Sequence, residues 1–401
     1  MNTPMIKNFV LLIIGFVCCL SCKKSGGGND NNNNEPTPSL KINDVTLNRQ
    51  NSDFAFRFFV DLSAKSSKTV TVQYSTINGT AKAGEDYENT SGTLTFQPGE
   101  TELYVDVTVK GDSLRQAQQN FYMQLSNAQN SKLSIPKATA TIINDGTYLP
   151  TNNTGYSTPD NYSGYKLTWS DEFDGNALNT NNWNYESGGG GWGNNELEYY
   201  TSRPQNVFVS SGNLIIEARK ENYGSNNYTS ARLNTAGKRE FQYGRIDIRA
   251  KLPVDAGMWP ALWMLGSNFS STGWPACGET DIMELIGKNP YQVVGSLHWK
   301  KGDGSEGTVN NTYSLSSQNF SQEFHVFSLL WSADSLQILV DDKVYVTGTK
   351  NNIATGVYPF DVPSFFIFNV AVGGDWPGPP NDATIFPQHM FVDYVRVFKK
   401  Q

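Results

Sequence analysis

Residues 274–287 read WPACGETDIMELIG and place Glu279, Asp281 and Glu284 close together along the chain. In a β-strand successive side chains point to opposite faces, so Glu279 and Asp281 share a face while Thr280 and Ile282 turn away. Strict alternation would put Met283 on the acidic face and Glu284 on the other. A β-bulge at Ile282–Met283 absorbs one residue and returns Glu284 to the face of the other two acids. The run then spans about 13 Å, at ~3.3 Å for each rise. Glutamates leaning toward each other across that span can bring their carboxyls to the ~5–5.5 Å that suits displacement with retention at a glycosidic carbon. Thr-Asp-Ile starts a helix poorly. The plainer reading is a solvated strand edge. Ile282, Met283, Leu285 and Ile286 interleave the acids and argue against it, because a buried strand does not carry three acids on one face without a use.

The elements around this stretch read as strands. Between residues 164 and 401, alternating apolar runs recur at 214–218, 244–251, 292–298, 326–331, 336–340, 365–370 and 391–397, with no convincing amphipathic helix. An all-β domain of two packed sheets offers one face to an extended ligand. Residues 39–146 hold a second set of short strands, at 54–62, 70–76, 92–96, 102–109, 120–125 and 138–143, separated by Asn78-Gly79, Pro98-Gly99 and Gly111-Asp112. That is a β-sandwich of about 100 residues. The polar stretch 147–163, with Pro and Asn throughout, reads as an interdomain linker.

The chain has 401 residues, enough for two domains. Its net charge is −7, without a basic run beyond short pairs, which excludes a nucleic-acid partner. The 9 Trp and 19 Tyr suit stacking on sugar rings as well as core packing. Residues 1–21 carry Lys7 and then an apolar run too short to span a bilayer, which is the pattern of a signal peptide. Leu20-Ser21-Cys22 resembles a bacterial lipobox with lipid attachment at Cys22, and residues 22–38 read as a flexible tether. A lipid anchor at the bacterial outer membrane or cell surface is the expected location. Cys277 is then the one cysteine left in the mature chain, so no intrachain disulfide is expected. No histidine close in sequence supports it as a catalytic thiol.

GETDIMELIG resembles the ExDxxE signature of glycoside hydrolase family 16 in its bulged, laminarinase-like form. LTWSDEFDG, WGNNELEYYT, YTSARLNT, FQYGRIDIRAKLP, GMWPALWMLG, GSLHW, FHVFSLLW, NVAVGGDWPG and FPQHMFVDYVRV follow the same family's order across nearly all of residues 164–401. The resemblance implies a concanavalin-like β-jelly roll with an open cleft. It also implies a lipid-anchored endo-β-1,3-glucanase acting on a β-glucan polysaccharide with no cofactor for the chemistry. Glu279 is then the nucleophile and Glu284 the acid/base. Asp281 between them is expected to tune Glu279 and help keep Glu284 protonated.

Trp259 matches a sugar-stacking position, and His298 matches one beside the acids. Asn195 and Glu196 match positions that bind sugar hydroxyls. Trp263 and Trp274 are open between stacking and core packing. Tyr199, Arg245 and Trp376 are further candidates, and His325 and His389 read as structural. A structural calcium is implied at Glu172, the backbone oxygen of Gly212, and Asp393. The enzymatic alternatives are a β-1,3-1,4-glucanase or a red-algal galactanase, and the non-enzymatic one is a surface glycan-binding protein.

The first domain, through VQYSTINGTAKAGEDY and GTLTFQPGETELYVDVTV, resembles a Calx-β domain. That resemblance implies calcium candidates Glu85, Asp86, Asp112 and Asp145. Gln116, Gln118 and Gln119 stand where acids are usual, and neutral amides are weaker ligands for a hard cation. A spacer or adhesion module is therefore favoured over a calcium sensor.

Overall fold

The computed structural model describes residues 36–353 and 357–401. Residues 1–21, read as a signal peptide, and Cys22 lie outside the described residues. Among the described residues helix is confined to two four-residue turns, Phe269–Thr272 and Lys350–Ile353. Among the described residues no helix is long and apolar enough to cross a membrane.

The first domain is a sandwich of a four-stranded and a five-stranded sheet, with strands from Ser39–Ile42 to Lys137–Ile143. Alternation builds its core. In Phe54–Leu62 the residues Phe56, Phe58, Val60 and Leu62 are buried, while Ala55, Arg57 and Phe59 face solvent. They meet Val72, Phe96, Val107 and Phe121 from the other strands. Arg49 is buried at one end of this sandwich. Its guanidinium donates to Asp112 at 2.6 Å, Asp86 at 3.0 Å and Gln119 at 2.9 Å. A fixed cation of the chain thus occupies the position between two of the acids expected to face calcium.

The second domain packs a ten-stranded sheet on a seven-stranded one. In Gly244–Lys251, Ile246, Ile248 and Ala250 point into the shared core, and Arg245, Asp247 and Arg249 stand on the other face. In Met258–Gly266, which is central to the seven-stranded sheet, Met258, Leu262 and Met264 enter the core. Trp259, Ala261, Trp263 and Leu265 stand on the opposite face and line the cleft. The ordering Asn184–Glu186, Arg232–Asn234, Ser364–Val372, Met258–Gly266, Glu279–Glu284, Gln292–Lys300, Glu306–Ser314 places the acidic strand near the middle of this sheet. Polar strands such as Glu306–Ser314 carry no alternating apolar signal, which is why the sequence pattern passes over them.

The stretch read as a linker is a strap laid against the ten-stranded sheet. Arg249 donates to the carbonyls of Asn153 and Tyr156, each at 2.7 Å. Thr158 bonds the Tyr394 hydroxyl, and Tyr162 donates to Asp247 at 2.7 Å. Polar composition signalled solvent, but these backbone and hydroxyl groups are taken up by the outward-facing side chains of the sheet.

The first domain also contacts this sheet directly. Arg115 extends across, donating to the Pro204 carbonyl at 2.9 Å, 3.4 Å from a Glu217 oxygen and stacked 4.0 Å from the Phe208 ring. Asp145 accepts from Arg219 at 2.8 Å, and Glu217 also meets His389 at 3.0 Å.

Candidate active site

The strand Glu279–Glu284 carries the expected bulge. On one side Trp263 pairs with Asp281 and Leu262 with Met283, leaving Ile282 without an opposite residue. On the other, Asp281 faces Ser296 and Glu284 faces Val294, so Ile282 and Met283 together oppose Gly295. Both bulge residues are buried in the core between the sheets. Tyr345 crosses above Gly295 and donates to the Ile282 carbonyl at 3.4 Å. A Cβ at position 295 would stand 2.6 Å from the Tyr345 hydroxyl, so glycine is what admits this tyrosine. The result is three carboxylates, Glu279, Asp281 and Glu284, lining one cavity of about 390 Å³.

Each acid has its own partner. Trp259 Nε1 donates to Glu284 Oε1 at 3.0 Å. His298, opposite Glu279 in the register, places Nε2 3.2 Å from Asp281 Oδ2, and its Nδ1 lies 2.5 Å from Glu306 Oε1. Burial raises Glu284 to about 8, helped by the charge of Asp281 and opposed by the Trp259 hydrogen bond. Burial also raises Glu279, followed by the charge of Asp281, while His298 and a Trp274 hydrogen bond favour its ionised form. Asp281, 4% exposed, is raised by burial and held down by His298. Burial works against a charged His298, but the adjacent Asp281 and Glu306 outweigh it and raise the ring to about 10. His298, facing Glu279 across the strand pair, favours charge there, while burial lifts both glutamates, Glu279 to about 9 and Glu284 to about 8, so the cluster retains protons well above the ordinary carboxylate range. Two carboxyl groups sharing protons in one cleft are the equipment for attack by one and protonation of a leaving group by the other.

The cleft walls bring some of the candidates together and leave others apart. Trp259, Trp263, Trp274 and Glu196 all line the cavity. Trp263 is therefore a cleft residue, held by a 2.8 Å bond from Nε1 to Asn369. Trp274 is 50% exposed, open for stacking beside His298. Trp376 stands edge-on to Trp259 at 5.5 Å, at the rim. Asn195 does not face sugar: its amide donates to both oxygens of Asp375, at 3.0 and 3.1 Å, stapling two loops. Its neighbour Asn194 lines the cavity instead. Tyr199 packs on Tyr223.

Arg245 is not a substrate residue. It stands on the outer face of the other sheet, paired with Asp247 at 2.8 Å and Asp342 at 2.5 Å. The arginine in the cleft is Arg232, its guanidinium 5.0 Å from the Trp192 ring and 4.8 Å from the Trp263 ring, with Glu186 at 2.5 Å. Sequence reasoning missed Arg232, Trp192 and Asn369. Arg232 lies in a three-residue strand too short for alternation to orient it. Cys277 is buried, and burial followed by the charge of Glu279 pushes its thiol up to about 11, so it is inert.

Two of the three residues expected to hold calcium, Glu172 and Asp393, are engaged by arginines. Both oxygens of Glu172 accept from Arg396, at 3.0 and 2.8 Å, and Asp393 accepts from Arg249 at 2.7 Å. A hard cation needs those oxygens, and guanidinium groups hold them, so the residues as arranged do not fit a calcium cage.

A two-sheet β fold with paired carboxylates in an aromatic-walled cleft defines a glycoside hydrolase. The family model "Glycosyl hydrolases family 16" matches residues 194–394, half of the chain, and the chain belongs to that family. A Calx-beta domain model matches residues 32–147. The chain is 43% identical over 245 residues to a beta-glucanase of Rhodothermus marinus, covering 59% of this chain and 85% of that protein. It is 39% identical over 252 residues to a glucan endo-1,3-beta-glucosidase of Cryptopygus antarcticus, covering 59% and 92%. The laminarinase catalytic domain of Thermotoga maritima superposes with a TM-score of 0.56 at 46% identity, over 59% of this chain and 99% of that one.

Proposed function

We propose that this protein hydrolyses internal β-1,3-glucosidic bonds of laminarin-type glucans with retention of configuration. The observation that carries this is the Ile282–Met283 bulge, which puts Glu279 and Glu284 on one face of the cleft beneath Trp259. Glu279 attacks the anomeric carbon while Glu284 passes its proton to the departing oxygen. Glu284 then takes a proton from water, whose oxygen displaces Glu279 and releases the sugar. His298 favours the charge on the nucleophile, against burial and the neighbouring Asp281. The glucanase names of the relatives support the glucan, and the paired tryptophans support an extended chain rather than a chain end. Reducing-sugar release from laminarin, compared with lichenan, agarose and carrageenan, tests the substrate. Release from laminarin below that from agarose would refute the glucan assignment.

The same reading includes an anchor at Cys22. Cys22→Ser is expected to move the protein from the membrane fraction to the soluble one, and unchanged membrane association would rule the anchor out.

A further inference from the structure

Glu279, Asp281 and His298 each offer one ligand atom, and these atoms all lie within 4.8 Å of one another. A four-coordinate zinc site built from one imidazole nitrogen and carboxylate oxygens at ~2.0–2.2 Å needs its ligand atoms ~3.4 Å apart, so side-chain adjustments of about 1 Å close the set. Two further features mark this cluster. Asp281 is 95% buried in its side chain, and its Oδ2 accepts no hydrogen bond of good geometry although His298 Nε2 stands 3.2 Å away. On the far side of the ring, His298 Nδ1 meets Glu306 Oε1 at 2.5 Å. A carboxylate on the second ring nitrogen is the outer support that fixes a metal-binding histidine and leaves its other nitrogen facing the metal. Glu279 and Asp281 also line the cleft.

We infer that this cluster binds one divalent transition-metal ion of the zinc or copper type, and that the bound ion inhibits the enzyme in competition with glycan. One nitrogen with two carboxylates suits these ions once the ring releases its Nε2 proton to solvent as the metal binds, whereas magnesium and calcium prefer oxygen alone. The ion takes the Glu279 oxygen that would attack the sugar, so hydrolysis stops without any change of fold. The inference rests on the acid cluster and stands whichever glycan the cleft accepts.

Calorimetric titration of the full chain with zinc chloride is expected to show one site, with no comparable binding of magnesium chloride. Glu306→Gln should weaken zinc about 10–100-fold. His298→Ala should abolish the site while the melting profile stays cooperative. Cys277→Ser should bind as the wild type does. Zinc should raise the apparent KM for glycan and leave kcat unchanged. Equal zinc affinity in His298→Ala, loss of binding in Cys277→Ser, or a fall in kcat at constant KM would each overturn the inference.

Discussion

Glu284 holds its proton because it is buried beside Asp281, and that has two measurable consequences. The first step of hydrolysis needs the protonated acid, so activity should fall as pH rises through about 8. Stability moves in the same direction. The folded-state pKa lies above the ordinary glutamate value of about 4.3, so folding takes up a proton between the two values. Stability therefore declines as pH rises across that window. Glu284→Gln carries no charge at any pH and should melt higher than the wild type at pH 8–9, by about 2–4 °C for each kcal/mol relieved. Thermal melts of both proteins across pH check the sign. In activity the same variant, and Glu279→Gln, should lose nearly everything while circular dichroism stays unchanged. Azide should partly rescue Glu279→Ala and give a glycosyl azide of inverted configuration. Near wild-type turnover in either glutamine variant would mean the roles are wrongly placed.

At the scale of the element, one residue out of register decides whether the strand can work. An alanine inserted after Met283 turns Glu284 to the core face, a slip that no rotamer repairs. Activity should vanish, and full activity in a folded insertion variant would remove Glu284 from its role. Deleting Met283 gives strict alternation and keeps the three acids together, so a folded domain with weak activity is expected. Met283→Ala tests the bulge differently. Met283 points into the core rather than forming the cleft floor, so truncation should cost about 2–5 kcal/mol of stability, read by chemical denaturation, while activity survives at low temperature. The bulge was legible in the sequence because acids and apolar residues break alternation at a definite place. Gly295 and Tyr345, which accommodate it, were not, because they lie on other strands.

For the molecule as a whole, Glu217 is the hinge of the argument. It is fully buried on the ten-stranded sheet, and Arg115 of the first domain supplies part of its neutralisation alongside Arg219, with His389 Nε2 3.0 Å away. Removing one partner of a buried ion pair costs about 3–5 kcal/mol, and the two remaining partners set this case toward the lower end. Arg115→Ala should lower the melting temperature of the catalytic domain and separate its calorimetric transition from that of the first domain. Coincident transitions in that variant would show that Arg115 is not what couples them. Arg49 gives the first domain a further trait: with a guanidinium between Asp86 and Asp112, calcium has a cation to displace before it binds there.

The sequence alone determined the strands, the bulge and the carboxylate set, because side-chain alternation and its violation are local properties of the chain. It also determined the family, through motifs that run in order along the second domain. What it left open was the sheet each strand joins. Arg232 and Arg245 lie close in sequence and both sit on strands, yet the first lines the cleft and the second braces the opposite sheet. Likewise Trp263 was equally suited to core or cleft, and residues 147–163 to linker or strap. Long-range strand pairing made each of those choices, since only the packed sheets define which of a strand's two faces is buried and which meets the ligand.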